Sequence, residues 1–283
     1  MSAPLTSPSP ILTTIEIALW VVGLIILWRV QFGQTSRDKT PDRLTPWELL
    51  PTSILAMALC VISGGWLAQY IVSNLSNHAL GPAAHDVELW ELVQGIALQL
   101  GLLAGVIVSV FLVRFAKKKP ALADAISPTP YPHPLLAAVG TFLIALSVLT
   151  IVGYVWKKGL EALGLDVSEQ DAVEIFQQAD SPTKLIVFIG LAVIVAPLTE
   201  ELIFRAGLFR YLRTRVPRWI ALLVPAALFA ALHSNLVAFV PLLLLGVLFS
   251  LAYERTGRIS VTIVAHGLFN LHTILLILAG VTS

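Results

Sequence analysis

The stretch LLAAVGTFLIALSVLTIVGYVW, residues 135–156, decides the fold class of this chain. It holds no charged residue, and an α-helix needs only about 20 mostly apolar residues to cross a bilayer core of roughly 30 Å. The whole chain has the same character, with 57% apolar residues, 12% charged residues and a mean hydropathy of +0.86. Soluble domains carry about 25% charged residues. The composition therefore predicts an all-α, polytopic integral membrane protein and excludes a soluble, disordered or fibrous chain.

Applied to the whole chain, the requirement of about 20 mostly apolar residues predicts about eight transmembrane helices. The fifth qualifies only if it carries Glu200, Glu201 and Arg205 inside it. The long apolar run after it is divided into two spans at Ser234 and Asn235. The predicted spans are residues 11–30, 51–73, 93–115, 135–156, 184–208, 219–235, 236–253 and 260–280.

Basic residues collect in alternate loops, and such residues favour cytoplasmic loops near helix ends. With the N-terminus outside, 15 of the 18 basic residues fall on the inner side, which predicts that both termini lie outside. The net charge of +1 gives no overall basic field, so nucleic acid is not an expected partner. The predicted inner residues are Arg29, Arg37, Lys39, Arg43, Arg114, Lys117, Lys118, Lys119, Arg205, Arg210, Arg213, Arg215, Arg218, Arg255 and Arg258.

Three regions are predicted along the chain. Residues 1–156 hold four transmembrane helices with polar inner loops, and 116–134 is a proline-rich linker. Residues 157–183 form an acidic outer segment, in which Ser168 is placed to cap a short amphipathic helix. Residues 184–283 form the membrane domain that carries most of the intramembrane polar groups.

The first polar motif is Glu200-Glu201-Leu-Ile-Phe-Arg205, inside the fifth span. Glu201 and Arg205 stand four residues apart on one helical face, in the order that favours an ion pair. Glu200 points about 100° away from that face. The spacing predicts that Arg205 neutralises Glu201 and leaves Glu200 free to take a proton as a general base. The structural alternative is a charged helix end whose side chains extend towards water.

The second and third motifs repeat an i, i+4 spacing. Phe229 and His233 share one helical face, and so do His266 and Asn270, which project two hydrogen-bonding groups to one point. Beside them, Gly267 leaves space for a neighbouring backbone. The structural alternative for each motif is an interfacial histidine or a hydrogen bond between helices.

Taken together, the three motifs indicate a shared buried cavity, because isolated polar groups inside a bilayer are costly. A general base, two imidazoles and an amide suit the hydrolysis of a carbonyl compound by water. The chain has no serine in a nucleophile-elbow context and no candidate nucleophilic cysteine. His272 lies about 240° round the helix from His266, so it cannot share that point and is interpreted as an interfacial residue.

The ordered motifs E-E-x-x-x-R, F-x-x-x-H and H-x-x-x-N resemble those of the CAAX protease and bacteriocin-processing (CPBP, or Abi) family. This family includes the type II CAAX prenyl endopeptidases. The resemblance covers about residues 184–283, and the first four spans match only in being spans. Each motif is weak alone, whereas the ordered trio is specific.

The resemblance implies an intramembrane endopeptidase of a bacterial-type plasma membrane, acting on a membrane-associated peptide or protein in CAAX-type or bacteriocin-related processing. It also leaves a metal-bound water open, because Glu200, His233 and His266 are adequate zinc ligands. The signature H-E-x-x-H is absent. The implied roles are water activation by Glu200 and His233, oxyanion stabilisation by His266 and Asn270, and support of the motif by Glu201 and Arg205.

One geometric condition follows from the helical rise of about 1.5 Å per residue. Glu200 and His266 fall in the inner half of the membrane, whereas His233 falls beyond the midplane. A common site then requires tilted helices, a break at Pro225 or a sixth helix that begins in the cytoplasm.

Two functions from other classes remain open. One is a non-catalytic immunity or partner-stabilising protein that uses the same polar residues structurally. The other is a proton-coupled transporter with a Glu200–His233 relay. The chain has no internal repeat of the kind found in inverted-repeat transporters, which counts against the transporter.

Overall fold

A computed structural model describes residues 10–32, 44, 47, 49–80, 87–116, 133–165, 167 and 181–280. These residues form helices and turns, with no strand among them. The predicted amphipathic helix after Ser168, most of the inner loop 31–50 and the proline-rich linker 116–134 lie largely outside the described residues. The helices are α1 (Pro10–Phe32), α2 (Pro51–Leu80), α3 (Val87–Ala116), α4 (Pro134–Ala162), α5 (Pro182–Leu212), α6 (Arg218–Ala231), α7 (Leu236–Thr256) and α8 (Ile259–Leu278).

Local sequence signals set several of these helix ends. Four helices (α1, α2, α4 and α5) begin with a proline, whose fixed φ and missing N–H suit the first helical turn. The Asn235 side chain caps α7 by accepting a hydrogen bond from the Ala238 N–H at 2.9 Å. Gly257 ends the same helix with φ +65°, a left-handed conformation that glycine adopts without strain.

Seven of the described helices are long and apolar enough to cross a membrane, which confirms an integral, multi-pass membrane protein. The exception is α6, which replaces the predicted span 219–235. Its 14 residues extend only about 21 Å at 1.5 Å per residue. The prediction of about eight spans therefore holds only if this short helix is counted as one of them.

Helix α5 is not a uniform α-helix. Two stretches, Leu191–Val195 and Leu202–Phe209, have the wider π-helical hydrogen-bond pattern, and they flank the short α-helical stretch Ala196–Glu201. Wider turns of this type recur at functional sites because they shift the side chains that follow. Pro197 explains part of this irregularity, since it has no N–H to offer to the preceding turn.

The helices form three packing groups. Helices α2 and α3 make a tight hairpin, and α3 also touches α5. Helix α1 packs along α4, and α4 in turn contacts α7 and α8. The buried core lies among α4 to α8, with Phe204, Phe229 and Phe249 at its centre. The division of the chain at residues 156 and 184 stays a prediction.

Side-chain contacts bring three of the predicted inner segments to one side of the molecule. In the turn after α5, Arg215 donates to the Leu49 carbonyl at 2.5 Å, just before α2 begins. Arg213 and Arg218 both bind Glu254 near the end of α7, the latter at 2.6 Å. This shared side fits the segregation of basic residues, and its assignment to the inner face stays a prediction.

Candidate active site

The predicted pair of Glu201 and Arg205 is present, and it is completely buried. Arg205 Nη1 lies 2.8 Å from Glu201 Oε1, and the two side chains are 1% and 0% exposed. Neither terminal nitrogen of Arg205 makes a well-aligned hydrogen bond, so the 2.8 Å contact acts as an ion pair. The guanidinium also stacks over the Phe229 ring at 4.6 Å and the Phe249 ring at 5.5 Å, where it gains cation–π attraction.

His266 lies between the two adjacent glutamates. Its Nδ1 is 3.0 Å from Glu201 Oε1, and its Nε2 is 3.7 Å from Glu200 Oε2. Because Arg205 holds Glu201 as a carboxylate, which only accepts hydrogen bonds, the proton of this contact is on His266 Nδ1. The buried Glu201 thereby fixes the ring orientation of His266 and directs Nε2 towards Glu200.

The two glutamates differ in access, as their helical spacing predicts. The Glu200 side chain is 21% exposed and the Glu201 side chain is 0% exposed. Glu200 also lies within electrostatic range of both His233 and His266. One carboxylate of the motif is therefore enclosed by its partners, and the other remains open to a further ligand.

His233 follows α6, in the turn between α6 and α7. Its Nδ1 lies 2.9 Å from the Phe229 carbonyl oxygen, which can only accept, so Nδ1 is the donor and Nε2 is the remaining acceptor of the neutral ring. The Phe229 ring is close to both imidazoles, with its centroid 4.9 Å from that of His233 and 6.0 Å from that of His266. The short helix α6 thus brings His233 near the other motifs.

Asn270 makes a hydrogen bond between helices, which was the structural alternative for its motif, although its partner was not predicted. Its Nδ2 donates to the Ala192 carbonyl at 2.7 Å. The reason lies in the first π-helical stretch of α5, where the Ala196 N–H bonds to Leu191 and not to Ala192. The next N–H along the chain is missing because residue 197 is proline. Asn270 therefore satisfies a carbonyl that the irregular helix leaves free, and its Nδ2 retains a second hydrogen.

Gly267 allows this close approach of α8 to α5. A Cβ at this position would lie 2.6 Å from the Val193 carbonyl oxygen, far inside van der Waals contact. The predicted need for a small residue here is confirmed.

The described residues contain no group of three or more His, Cys, Asp or Glu side chains arranged to hold a metal ion. His266 Nδ1 is already bonded to Glu201, so only its Nε2, 3.7 Å from Glu200 Oε2, could face a metal ion, and the described residues supply no third ligand beside this pair. The residues named as possible zinc ligands therefore do not form a ligand set in this arrangement.

Glu16 is an ionisable residue that the sequence analysis did not single out. It lies in α1 and contacts His272 of α8, so His272 is not simply an interfacial residue. A carboxylate inside the first predicted span was a signal that could have identified it.

Comparison with known proteins supports the predicted resemblance to a family. Residues 182–272 match the family model described as Type II CAAX prenyl endopeptidase Rce1-like. The UPF0177 protein YbdI of Lactococcus lactis is 29% identical over 48% of this chain and 73% of its own length. YdiL of Bacillus subtilis, whose name proposes a membrane peptidase, is 30% identical over 53% of this chain and 59% of its own.

A third relative is the membrane-embedded CAAX protease MroQ of Staphylococcus aureus. It is 37% identical over 31% of this chain and 38% of its own length. No solved structure matches the chain. The predicted resemblance is thus confirmed for residues 182–272, the segment with all three polar motifs, which is similar to the CAAX prenyl endopeptidase family.

Proposed function

We propose that this chain is an intramembrane endopeptidase that hydrolyses a peptide bond with a water activated by Glu200 and His233. The observation that carries the proposal is the unequal state of the adjacent glutamates, with Glu201 locked by Arg205 and Glu200 partly open. A structural charge cluster requires only the locked pair. The open carboxylate, 3.7 Å from His266 and within electrostatic range of His233, is the additional feature that hydrolysis requires.

In this mechanism a water molecule lies between Glu200 and His233. Glu200 takes a proton from the water as the water oxygen attacks the carbonyl carbon. Nε2 of His233 accepts the second hydrogen of the water and orients it, because Nδ1 of this ring is already occupied by the Phe229 carbonyl. The proton then passes to the nitrogen of the departing amine, so that the peptide bond breaks and the proton count balances.

The tetrahedral intermediate carries a negative oxygen that needs donors. His266 provides an Nε2–H donor in its imidazolium form, in which both ring nitrogens carry a proton and Nδ1–H is held by Glu201. Asn270 provides the second hydrogen of its Nδ2, the first being directed at Ala192. Glu201 and Arg205 support the site without touching the substrate.

A resident zinc ion would supply a Lewis acid and a metal-bound hydroxide. The described donors do not form a three-ligand set, so no step is assigned to a metal. Addition of a chelator such as EDTA to the purified protein is expected to leave cleavage unchanged, and loss of cleavage restored by zinc would contradict this mechanism.

The proposed substrate is a membrane-associated peptide or protein, and the name of the relative MroQ suggests the CAAX class. Approach from the inner side is proposed because the basic residues that follow Glu200 along the chain favour the cytoplasmic side. A cysteine replacing Glu200 is then expected to react with a membrane-impermeant thiol reagent in inside-out vesicles. Labelling only in right-side-out vesicles would refute this route.

A non-catalytic, partner-stabilising role is the second candidate. One observation favours it: Asn270 and the Nδ1 of His233 are both engaged with backbone carbonyls, as purely structural side chains would be. Under that proposal, Glu200→Gln leaves the cellular function intact.

The test of the proposed function uses purified wild-type protein and Glu200→Gln in detergent. Each is incubated with a diverse peptide library that includes farnesylated C-terminal peptides, and the products are identified by mass spectrometry. We expect cleavage by the wild type and at least a hundredfold loss in the variant, in the range reported for general bases. Equal cleavage by both proteins would remove Glu200 from the mechanism.

A further inference from the structure

A second ionisable pair lies apart from the three motifs. His272 Nε2 of α8 is 2.9 Å from Glu16 Oε1 of α1, and each side chain is only 14% exposed. Carboxylates inside a membrane-spanning helix are costly and usually serve a function. The proposed hydrolysis uses neither residue.

The pair lies on the side of α8 that faces away from the candidate site. His272 is about 240° round the helix from His266, as the period of 3.6 residues requires. The Phe142 ring of α4 covers the imidazole, with ring centroids 5.9 Å apart. Helix α8 is thus held from opposite sides, by Asn270 and Gly267 against α5 and by His272 against α1.

Helix α1 is itself firmly placed. Gly23 fits against the backbone of α4 where any Cβ would overlap the Leu143 carbonyl and the Ser147 hydroxyl. Ser147 donates to the Trp20 carbonyl at 2.9 Å. Glu16 therefore extends towards α8 from a helix that is anchored on α4. Its hydrogen bond with His272 can then fix the position of α8.

We propose that Glu16 is a positioning residue, which holds α8 in the register that places His266 and Asn270 against α5. This proposal rests on the proposed function. It assigns a part of the site to α1, which lies outside the segment 182–272 that matches the family model.

The physical reason lies in the membrane environment. Lipid tails are as apolar as leucine side chains, so apolar contacts alone set the rotation and height of a helix weakly. A shift of α8 by one residue moves His272 by about 1.5 Å along the axis and 100° around it, which breaks the hydrogen bond. The pair therefore selects one register, and a misplacement of about 1 Å at a catalytic group can reduce the rate a hundredfold.

The first readout does not depend on cleavage. Ile274 is 3% exposed and lies one turn beyond Asn270, so a cysteine there reports on the packing of α8. In a Cys60→Ser, Ile274→Cys background, we expect Glu16→Leu to raise the rate of labelling by a small thiol reagent at least fivefold. Thr14→Val is the matched control, because Thr14 is an exposed α1 residue whose hydroxyl donates to the Pro10 carbonyl of its own helix. An unchanged labelling rate in Glu16→Leu would overturn the proposal.

The second readout is cleavage by the full-length protein with wild-type residues at positions 60 and 274. We expect Glu16→Leu to lower kcat about tenfold or more with little change in KM, since the site geometry is altered and the substrate contacts are retained. Glu16→Gln, which keeps the acceptor oxygen, is expected to recover most of kcat. The double variant Glu16→His with His272→Glu, which exchanges the two partners, is also expected to recover most of kcat.

The outcomes separate the two proposals. If the wild type cleaves no peptide, the proposed function fails, and the labelling rates alone decide whether Glu16 sets the register of α8. If the wild type cleaves and Glu16→Leu retains wild-type kcat, the positioning role is refuted while the proposed function stands.

Discussion

The α2–α3 hairpin and the α5–α8 bundle are held together by different means within one membrane protein. In the hairpin, glycines let the backbones touch: a Cβ on Gly105 would lie 2.6 Å from Val61 Cα, and one on Gly101 2.7 Å from Ala68 Cβ. Small-residue packing of this kind suits helices in lipid. In the bundle, the centre is a buried network of Glu201, Arg205 and His266.

The difference shows what each kind of packing can specify. Close backbone contact fixes the distance between two helices and needs only small residues. A buried charge must meet a particular partner at a particular atom, so it also fixes rotation and height. The hairpin can therefore support the bundle, whereas only the bundle holds side chains accurately enough for the proposed chemistry.

The largest expected effect comes from breaking the buried charge network. Glu201→Gln leaves Arg205 as an uncompensated cation in the core, which we expect to destabilise the protein by roughly 3–5 kcal/mol. The measurement is the unfolding midpoint in detergent titrated with SDS. The control is Lys158→Gln, which removes an exposed i, i+3 ion pair and is expected to have little effect. A midpoint for Glu201→Gln equal to that of the control would contradict the network's role.

The next effect concerns the hydrogen bond between α8 and α5. Asn270→Ala leaves the Ala192 carbonyl without its hydrogen-bond donor and is expected to lower the free energy of unfolding by roughly 1–3 kcal/mol. In a Pro197→Ala background an N–H is restored to α5, so the same substitution is expected to cost less. Unfolding of the four proteins of this double-mutant cycle measures the coupling. If the two substitutions have additive effects on the free energy of unfolding, the hydrogen bond of Asn270 does not depend on the N–H that is missing at Pro197.

A glycine substitution tests the hairpin. Gly105→Val overpacks the contact with α2. We expect the free energy of unfolding, measured in detergent titrated with SDS, to fall by about 1–3 kcal/mol. Cleavage per folded molecule is expected to stay unchanged. The matched control is Gly95→Ala in the same helix, where a Cβ meets no atom within 4 Å. The control is expected to gain roughly 0.5–1 kcal/mol of stability. A large loss of kcat in folded Gly105→Val would show that the hairpin also sets the site geometry.

The smallest effect is expected at Ser234, directly after His233. Its φ of +51° is a left-handed conformation that costs a residue with a side chain roughly 1 kcal/mol. Ser234→Gly should therefore raise the free energy of unfolding by up to that amount, although part is offset by the greater freedom of glycine in the unfolded chain. The unfolding midpoint measures it, and a clear loss of stability would indicate that the serine hydroxyl has a role of its own.

Several features could be predicted from the sequence because they are local. Apolar length gave the transmembrane helices, and the i, i+4 spacing gave the ion pair of Glu201 and Arg205. The need for Gly267 followed from its place beside His266 and Asn270.

The remaining features depend on contacts distant in sequence or on irregular backbone. The bond from Asn270 to Ala192 arises from a π-helical turn whose width helical periodicity does not reveal. The contact between Glu16 and His272 joins residues at opposite ends of the chain. The shortness of α6 was missed because the predicted span was extended to residue 235, whereas the helix ends at Ala231, ahead of the turn that contains His233.

The most direct test of the central claim compares Glu200→Gln with Glu201→Gln in parallel, each measured for cleavage per folded molecule and for unfolding midpoint. We expect Glu200→Gln to lose cleavage at least a hundredfold while its midpoint stays near that of the wild type, because its contact with His266 is long at 3.7 Å. Glu201→Gln is expected to lose stability as well. Equal loss of stability in both variants, with no difference in cleavage, would contradict the assignment of catalysis to Glu200 and of support to Glu201.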